Sequence, residues 1–319
     1  MTPEFDLIAT YFTRPAKNAA LGVGDDCALV NVTRGCELAI STDTLLSGVH
    51  FFADADPFKL GHKALAANLS DLAAMGATPR YVTLALTLPS IDATWLEAFS
   101  RGFFALANAA GVELIGGDTT RGALSITLTV LGEVDTGKAL RRDRARTDDD
   151  IWVSGTLGDA ALALRHLRKE IVLSSGHVEP VLSRLHTPTP RNSLGVALLE
   201  CAGAAIDVSD GLIADLGHIC ERSSLAATLA WALVPQSPAL MSAPLALRHA
   251  CALAGGDDYE LCFTANENQR AAIDAVSASC GIALTRIGKM QAGQPEVTVD
   301  DEHGAPIKIA AAGFDHFKR

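Results

Sequence analysis

Five short segments place acidic side chains beside glycine, serine or threonine: Gly-Val-Gly-Asp-Asp at 22–26, Ser-Thr-Asp-Thr at 41–44, Gly-Gly-Asp-Thr-Thr at 116–120, Ile-Asp-Val-Ser-Asp-Gly at 206–211 and Gly-Gly-Asp-Asp-Tyr-Glu at 255–260. Asp71 adds a further carboxylate from a segment with helical periodicity. Carboxylates repel at short range and raise one another's pKa, so a cluster of them calls for a cation. Magnesium suits the set: it is hard, takes oxygen ligands and commonly rests on one or two carboxylates plus substrate phosphates. The chemistry indicated is the handling of a polyphosphate through several magnesium ions. Taken singly, each segment also fits an ordinary turn or helix cap. The recurrence in one chain favours the metal reading.

The local settings sharpen this. Asp25 and Asp26 are adjacent, so on extended backbone one faces the site and the other its rim. Ser41, Thr42 and Asp43 close a strand, where α/β sheets place ligands. Asp71 shares a helix face with Asn68 while Leu65, Leu69 and Leu72 share another. A carboxylate on a mostly buried helix needs a partner or a metal. Gly116 and Gly117 let phosphates approach the backbone, with Asp118 beside them; a hairpin turn between strands at 112–115 and 124–134 is compatible with that. Asp207 and Ser209 point the same way on extended backbone, and Asp210 is positioned to cap the helix that follows. There is no G-x-x-x-x-G-K-[ST], H-R-D or D-F-G, so phosphoryl transfer would use another scaffold.

These segments need elements to hold them. A chain of 319 residues points to two domains. An amphipathic helix opens it (Phe5, Leu7, Ile8, Tyr11, Phe12), followed by strands at 37–41 and 81–88, helices at 63–75 and around Leu96, Phe99, Phe103 and Leu106, and strands at 112–115 and 124–134. This βαβαββ order describes a mixed-sheet α/β (α+β) N-terminal domain, residues 1–139. Residues 140–319 form an α/β domain of alternating strands and helices, entered through the polar run 141–150. The net charge of −11 excludes a basic nucleic-acid or anionic-membrane surface. It does not exclude ATP, since metals bridge like charges. Seven cysteines, an odd number without a C-x-x-C pair, read as reduced thiols of a cytoplasmic protein. No apolar run reaches a membrane span.

Together the segments resemble the thiamine-monophosphate kinase family, of the superfamily of aminoimidazole ribonucleotide synthetase and selenophosphate synthetase. The match extends through Lys-Ala-Leu-Ala-Ala-Asn-Leu-Ser-Asp-Leu-Ala-Ala-Met-Gly-Ala at 63–77, Gly-Gly-Asp-Asp-Tyr-Glu-Leu at 255–261 and Gly-Phe-Asp-His-Phe at 313–317. The resemblance implies direct in-line transfer from ATP to thiamine monophosphate, with no phosphoenzyme. It implies magnesium ligands at Asp26, Thr42, Asp43, Asp71, Asp118, Asp207 and Asp210, with Ser41 a further one. It implies ATP contacts at Gly117, Asp118, Arg142 and Ser209, and substrate contacts at His50, Asp257 and Phe314. It also implies a homodimer formed through the N-terminal sheets. Where relatives often carry glutamate after the double glycine, this chain has Asp257. Asp43, Asp71, Asp118 and Asp207 are the expected catalytic carboxylates; an ionised phosphate acceptor needs no general base. An amidine cyclase of the same superfamily, a non-catalytic nucleotide sensor and a metal-dependent phosphatase are the alternatives.

Overall fold

The protein is described here from a computed structural model covering residues 3–308 and Gly313. It divides into two compact units, Met1–Leu72 with Ala77–Lys138, and Ala73–Gly76 with Ala139–Arg319.

In the first unit, α1 (Pro3–Leu7) runs into a π-helical turn, Ile8–Phe12. There follow β1 (Cys36–Leu46), α2 (Pro57–Ala74), β2 (Thr78–Leu88), α3 (Ala93–Ala110), β3 (Glu113–Arg121) and β4 (Ser125–Asp135). This is the expected βαβαββ order. The sheet order is β1-β4-β2-β3, with β2 and β3 parallel and the other pairs antiparallel. Proline suits the first turn of α2, where its missing N–H is no loss. Asp92 caps α3 by accepting the N–H groups of Thr94 and Trp95, and Gly111 ends it in the left-handed region. The 3–4 spacing of Leu65, Leu69 and Leu72 on α2, and of Leu96, Phe99 and Phe103 on α3, puts all six in the core at 0–1% exposure. The two helices meet through glycine: a Cβ at Gly61 would lie 2.2 Å from the Phe99 carbonyl oxygen, and one at Gly102 1.9 Å from that of Phe58.

Two strands depart from expectation. β1 extends to Leu46 and alternates, with Ile40, Thr42, Thr44 and Leu46 exposed, because it is an edge strand covered on one face only. β3 does not stop before the glycines but continues through Gly116–Gly117 to Arg121, so Asp118 sits on a strand and not in the hairpin turn. A register shift opposite Val82/Thr83 absorbs the irregularity.

The second unit contains β5 (Asp150–Ser154), α4 (Asp159–Leu167), α5 (Ser175–His186), α6 (Asn192–Ala197), β6 (Ala205–Val208), α7 (Leu212–Ser223), β7 (Ala226–Ala230), α8 (Pro238–Met241), α9 (Leu245–Ala254), β8 (Glu260–Ala265), α10 (Arg270–Cys280), β9 (Leu284–Gln291) and β10 (Glu296–Asp300). Its sheet runs β10-β7-β9-β5-β8-β6, with only β10 and β7 parallel. β5, β6 and β8 are buried throughout. Apolar side chains cover both faces of this sheet: Ile151, Val153, Ile206 and Cys262 belong to one core, Trp152, Ala205, Leu261 and Phe263 to the other.

Candidate active site

In the first unit the acidic segments are carried by β1, α2, β3 and the segment before β1. Ser41 Oγ donates to Asp71 Oδ2 at 2.5 Å, joining residues thirty apart in sequence. Next to them, the Asp43 N–H donates to Asn68 Oδ1 at 3.1 Å, and Asn68 Nδ2 donates to the Ala64 carbonyl at 3.0 Å. Asn68 is wholly buried, whereas Asp71 is only half-buried on an otherwise buried stretch of α2. Ser41, Asp43, Asn68 and Asp71 thus form one oxygen-rich set. Thr42 lies on the opposite face of β1 and shares a hydrogen bond with Thr129 Oγ1 at 2.9 Å. Asp118 is exposed, in register with Ala85 of β2. The glycine before it is required by close approach: a Cβ on Gly117 would stand 1.9 Å from the Leu84 carbonyl oxygen.

Asp26 belongs to a small loop closed by reciprocal backbone hydrogen bonds between Leu21 and Leu29, 2.9 and 3.1 Å. Asp25 Oδ1 accepts the Asp26 N–H at 2.9 Å. The loop's two ends are tied down by carboxylates that sequence reading did not single out. Glu113 accepts the N–H groups of Lys17, Asn18 and Ala19 at 3.0–3.2 Å. Glu133 accepts the N–H and hydroxyl of Thr33 at 2.7 and 2.8 Å, together with Arg80 Nε at 3.0 Å. His50 Nδ1 accepts the Leu46 N–H at 3.0 Å, so the neutral ring carries its proton on Nε2.

In the second unit two distant segments run side by side. The Asp257 N–H donates to the Ser209 carbonyl and the Tyr259 N–H to the Val208 carbonyl, both at 2.8 Å. This brings Asp207, Ser209, Asp210 and Asp257 to one end of β6. Asp207 is 3% exposed, on the face of β6 that carries Ala205 and pairs with Leu261. The expected capping role of Asp210 falls elsewhere. α7 has Gly211 at its N-cap and no side-chain cap. Instead Asp215, one turn inside the helix, reaches back, and its Oδ2 accepts the N–H groups of Ser209, Asp210 and Gly211 at 3.0–3.1 Å. Burial, and then the Asp210 charge, push the Asp215 carboxyl up to about 6 against those three hydrogen bonds. With its amides engaged by Asp215, the turn suits a cation better than an anion.

The backbone of Arg142 lies at the opposite end of α7 from Ser209. Its carbonyl accepts Ser223 Oγ at 2.8 Å, at the far end of the twelve-residue α7. A helix of that length is about 18 Å long. Phe314 lies outside the described residues; Gly313, just before it, is close to the start of α7, where a Cβ would meet Ala214 Cβ at 2.6 Å and the Asp210 carbonyl oxygen at 3.0 Å.

Behind Asp257 lies a buried ionic knot that sequence reading missed. Glu260, fully buried, receives Arg184 Nη2 at 2.7 Å, Arg191 Nη2 at 2.5 Å, Arg191 Nε at 2.7 Å and Ser154 Oγ at 2.5 Å. Asp258, 2% exposed, accepts the Gly158 N–H at 2.7 Å, and burial pushes its carboxyl well above the usual range despite the nearby Arg184. The signal was present as Asp258 and Glu260 in a run otherwise heading into a buried strand.

Among the described residues, no three histidine, cysteine or acidic side chains stand close enough to hold a metal by themselves. The donors form smaller sets of one or two carboxylates with hydroxyl or amide oxygens. Their all-oxygen character fits magnesium, which completes its shell from water and phosphate.

A family model for the AIR synthase related protein, N-terminal domain, matches residues 24–134. The thiamine-monophosphate kinase of Salmonella typhimurium is 48% identical over 321 residues, covering 98% of this chain and 98% of that protein. That of Bacillus subtilis is 32% identical over 327 residues, covering 99% of each. Among solved structures, the thiamine-monophosphate kinase of Stenotrophomonas maltophilia K279a superposes with a TM-score of 0.84 at 51% identity, over 89% of this chain and 91% of that one. AaThiL complexed with AMPPCP and TMP superposes with a TM-score of 0.78 at 29% identity, over 89% of each chain.

Proposed function

This chain belongs to the thiamine-monophosphate kinase family, and from that premise we propose how its residues carry out the ATP-dependent phosphorylation of thiamine monophosphate to thiamine diphosphate. An oxygen of the thiamine monophosphate phosphate attacks the γ-phosphorus of ATP, the bond to the β-phosphate oxygen breaks, and ADP leaves. The attacking oxygen is already ionised at neutral pH, so no side chain has to remove a proton. The work left to the protein is to bring two anions together and hold them in line.

The residues that would hold magnesium are Asp26, Ser41, Asp43, Asp71, Asp118, Asp207 and Asp210, joined by Thr42 through its backbone oxygen, since its hydroxyl faces Thr129 on the other side of β1. When bound, the ions cancel the repulsion between donor and acceptor phosphates. The hydrogen bond from Ser41 to Asp71 and that from Asp43 N–H to Asn68 preset this set before any ligand arrives. Asp43, Asp71, Asp118 and Asp207 are the carboxylates assigned to the reacting phosphates. Gly117, Asp118 and Ser209 take the phosphate end of ATP. Arg142, anchored at the other end of α7, takes a more distant part of the nucleotide. His50, Asp257 and Phe314 take thiamine monophosphate, His50 through Nε2. Residues 1–139 form the ATP- and metal-binding domain, and residues 140–319 complete the catalytic set.

The side-by-side placement of segments 207–210 and 257–259, nearly fifty residues apart in sequence, carries this assignment. We place the enzyme in the cytoplasm, as a homodimer. The odd number of cysteines, with no C-x-x-C pair, supports the first. The second rests on the exposed face of the β1 edge, where Ile40 is 61% and Leu46 41% exposed. Incubation of the purified protein with ATP, magnesium and thiamine monophosphate is expected to yield ADP and thiamine diphosphate in equal amounts. Phosphate release without acceptor, or turnover only of an amidine substrate, would overturn the assignment.

A further inference from the structure

We propose that Tyr259 is a positioning residue for substrate recognition, its phenol hydroxyl holding the Asp257 carboxylate in the orientation that receives thiamine monophosphate. This rests on the reading of Asp257 as a substrate contact. Tyr259 Oη donates to Asp257 Oδ1 at 2.9 Å, and the tyrosine ring is 7% exposed while Asp257 is half-buried.

The backbone between them is unusual. Asp257 and Tyr259 both occupy the left-handed region, at φ 68° and 51°. Aspartate visits that region with modest strain; a bulky aromatic residue there is an outlier that persists only when its surroundings over-determine it. Here the surroundings do so. The N–H groups of Asp257 and Tyr259 are held by the carbonyls of Ser209 and Val208. Between them, buried Asp258 accepts the Gly158 N–H, and the Asp258 carbonyl accepts Arg184 Nη2 at 3.3 Å. Glu260 then locks the next residue through Arg184 and Arg191.

Phenylalanine would fill the ring's place equally well. What it would lack is the hydroxyl, which donates to one oxygen of Asp257. A carboxylate held at one oxygen by a rigid donor is fixed in orientation. The left-handed turn therefore sets the recognition group as well as closing a loop. Asp257 is also shorter than glutamate by one methylene, so its reach depends more on where the support places it.

The test is steady-state kinetics on Tyr259→Phe, Asp257→Ala and the double variant, varying each substrate separately. Tyr259→Phe is expected to raise KM for thiamine monophosphate about tenfold, the scale of lost supporting hydrogen bonds, with kcat and KM for ATP changed by less than about twofold. The double variant should match Asp257→Ala alone in KM for thiamine monophosphate, since on this proposal the hydroxyl affects that substrate through the carboxylate. If Asp257→Ala raises KM and Tyr259→Phe does not, the positioning role is wrong while the substrate reading stands. If Asp257→Ala itself leaves KM unchanged, the substrate reading fails and takes the proposal with it. Equal losses toward both substrates would mark Tyr259 as structural and overturn the proposal. Should Tyr259→Phe not fold, a fluorotyrosine at position 259 keeps ring and hydroxyl but loses its proton at lower pH. KM for thiamine monophosphate should then climb with pH where the wild type stays flat; a flat profile overturns the proposal.

Discussion

Replacing Glu260 by glutamine changes one atom in a buried side chain that accepts four hydrogen bonds. Oε1 accepts Arg184 Nη2 and Arg191 Nη2, and Oε2 accepts Arg191 Nε and Ser154 Oγ. Whichever way the amide turns, its NH2 faces at least one guanidinium N–H, and donor meets donor. Two arginines, 20% and 14% exposed, also lose their counter-charge. Breaking a buried ion pair from one side costs about 3–5 kcal/mol, a large share of the roughly 5–15 kcal/mol that holds a domain together. With a urea dependence of about 2–3 kcal/mol per molar, the midpoint should fall by about 1–2.5 M. Arg184→Met leaves the bidentate Arg191 contact in place and should lose less. The assay is equilibrium urea unfolding followed by far-UV circular dichroism and tryptophan fluorescence. A Glu260→Gln midpoint within about 0.3 M of wild type, at unchanged slope, would refute the reasoning, since the knot would then be contributing no more than an exposed pair.

Asp71→Asn keeps the Ser41 hydrogen bond but halves the charge available to a cation; the magnesium concentration for half-maximal rate should rise about 10- to 100-fold, read from initial rates across a magnesium titration. Asp150 is fully buried against Arg270 Nε at 2.6 Å, with Arg286 and Lys289 nearby. Burial works to raise its pKa, but the Arg270 hydrogen bonds and the three cations outweigh it and hold the carboxyl below its ordinary value. A depressed pKa contributes stability above the unfolded-state value and loses it as pH falls through the folded-state value. Asp150→Asn should therefore be less stable than wild type near pH 7, and the two melting curves should converge below about pH 4; a gap independent of pH would contradict this. Gly117→Ala forces a Cβ onto the Leu84 carbonyl and should displace Asp118, raising KM for ATP before it affects KM for thiamine monophosphate. Equal effects on both would count against Asp118 as a nucleotide contact.

Much of the first unit was legible because its signals are local. Leu65, Leu69 and Leu72 repeat at helical spacing, as do Leu96, Phe99 and Phe103, and the βαβαββ order follows from such runs. β3 was cut short because a Gly-Gly pair reads as a turn. In the fold it is carried through as a strand, with Gly117 taking a backbone conformation and an approach to Leu84 that other residues would not tolerate. The reading of 37–41 falls short of β1 because nothing in Cys36–Leu46 announces an edge strand.

The site divides along the same line. The identities of the oxygen donors, their hardness and their preference for a polyphosphate with magnesium are properties of side-chain chemistry, and they could be read from the order of residues alone. Which donor is supported by which neighbour could not. Ser41 finds Asp71, Glu113 finds Lys17, Asn18 and Ala19, and Glu260 finds Arg184 and Arg191 only after strands and helices have closed over gaps of thirty to nearly one hundred residues. Asp210 gave way to Asp215 as the group that satisfies the α7 N-terminus because a carboxylate one turn inside a helix reaches three amides at once, a fact of helical geometry and not of residue type. Composition and local pattern act through each residue's own chemistry, whereas partners far along the chain are chosen by packing, and packing exists only in three dimensions.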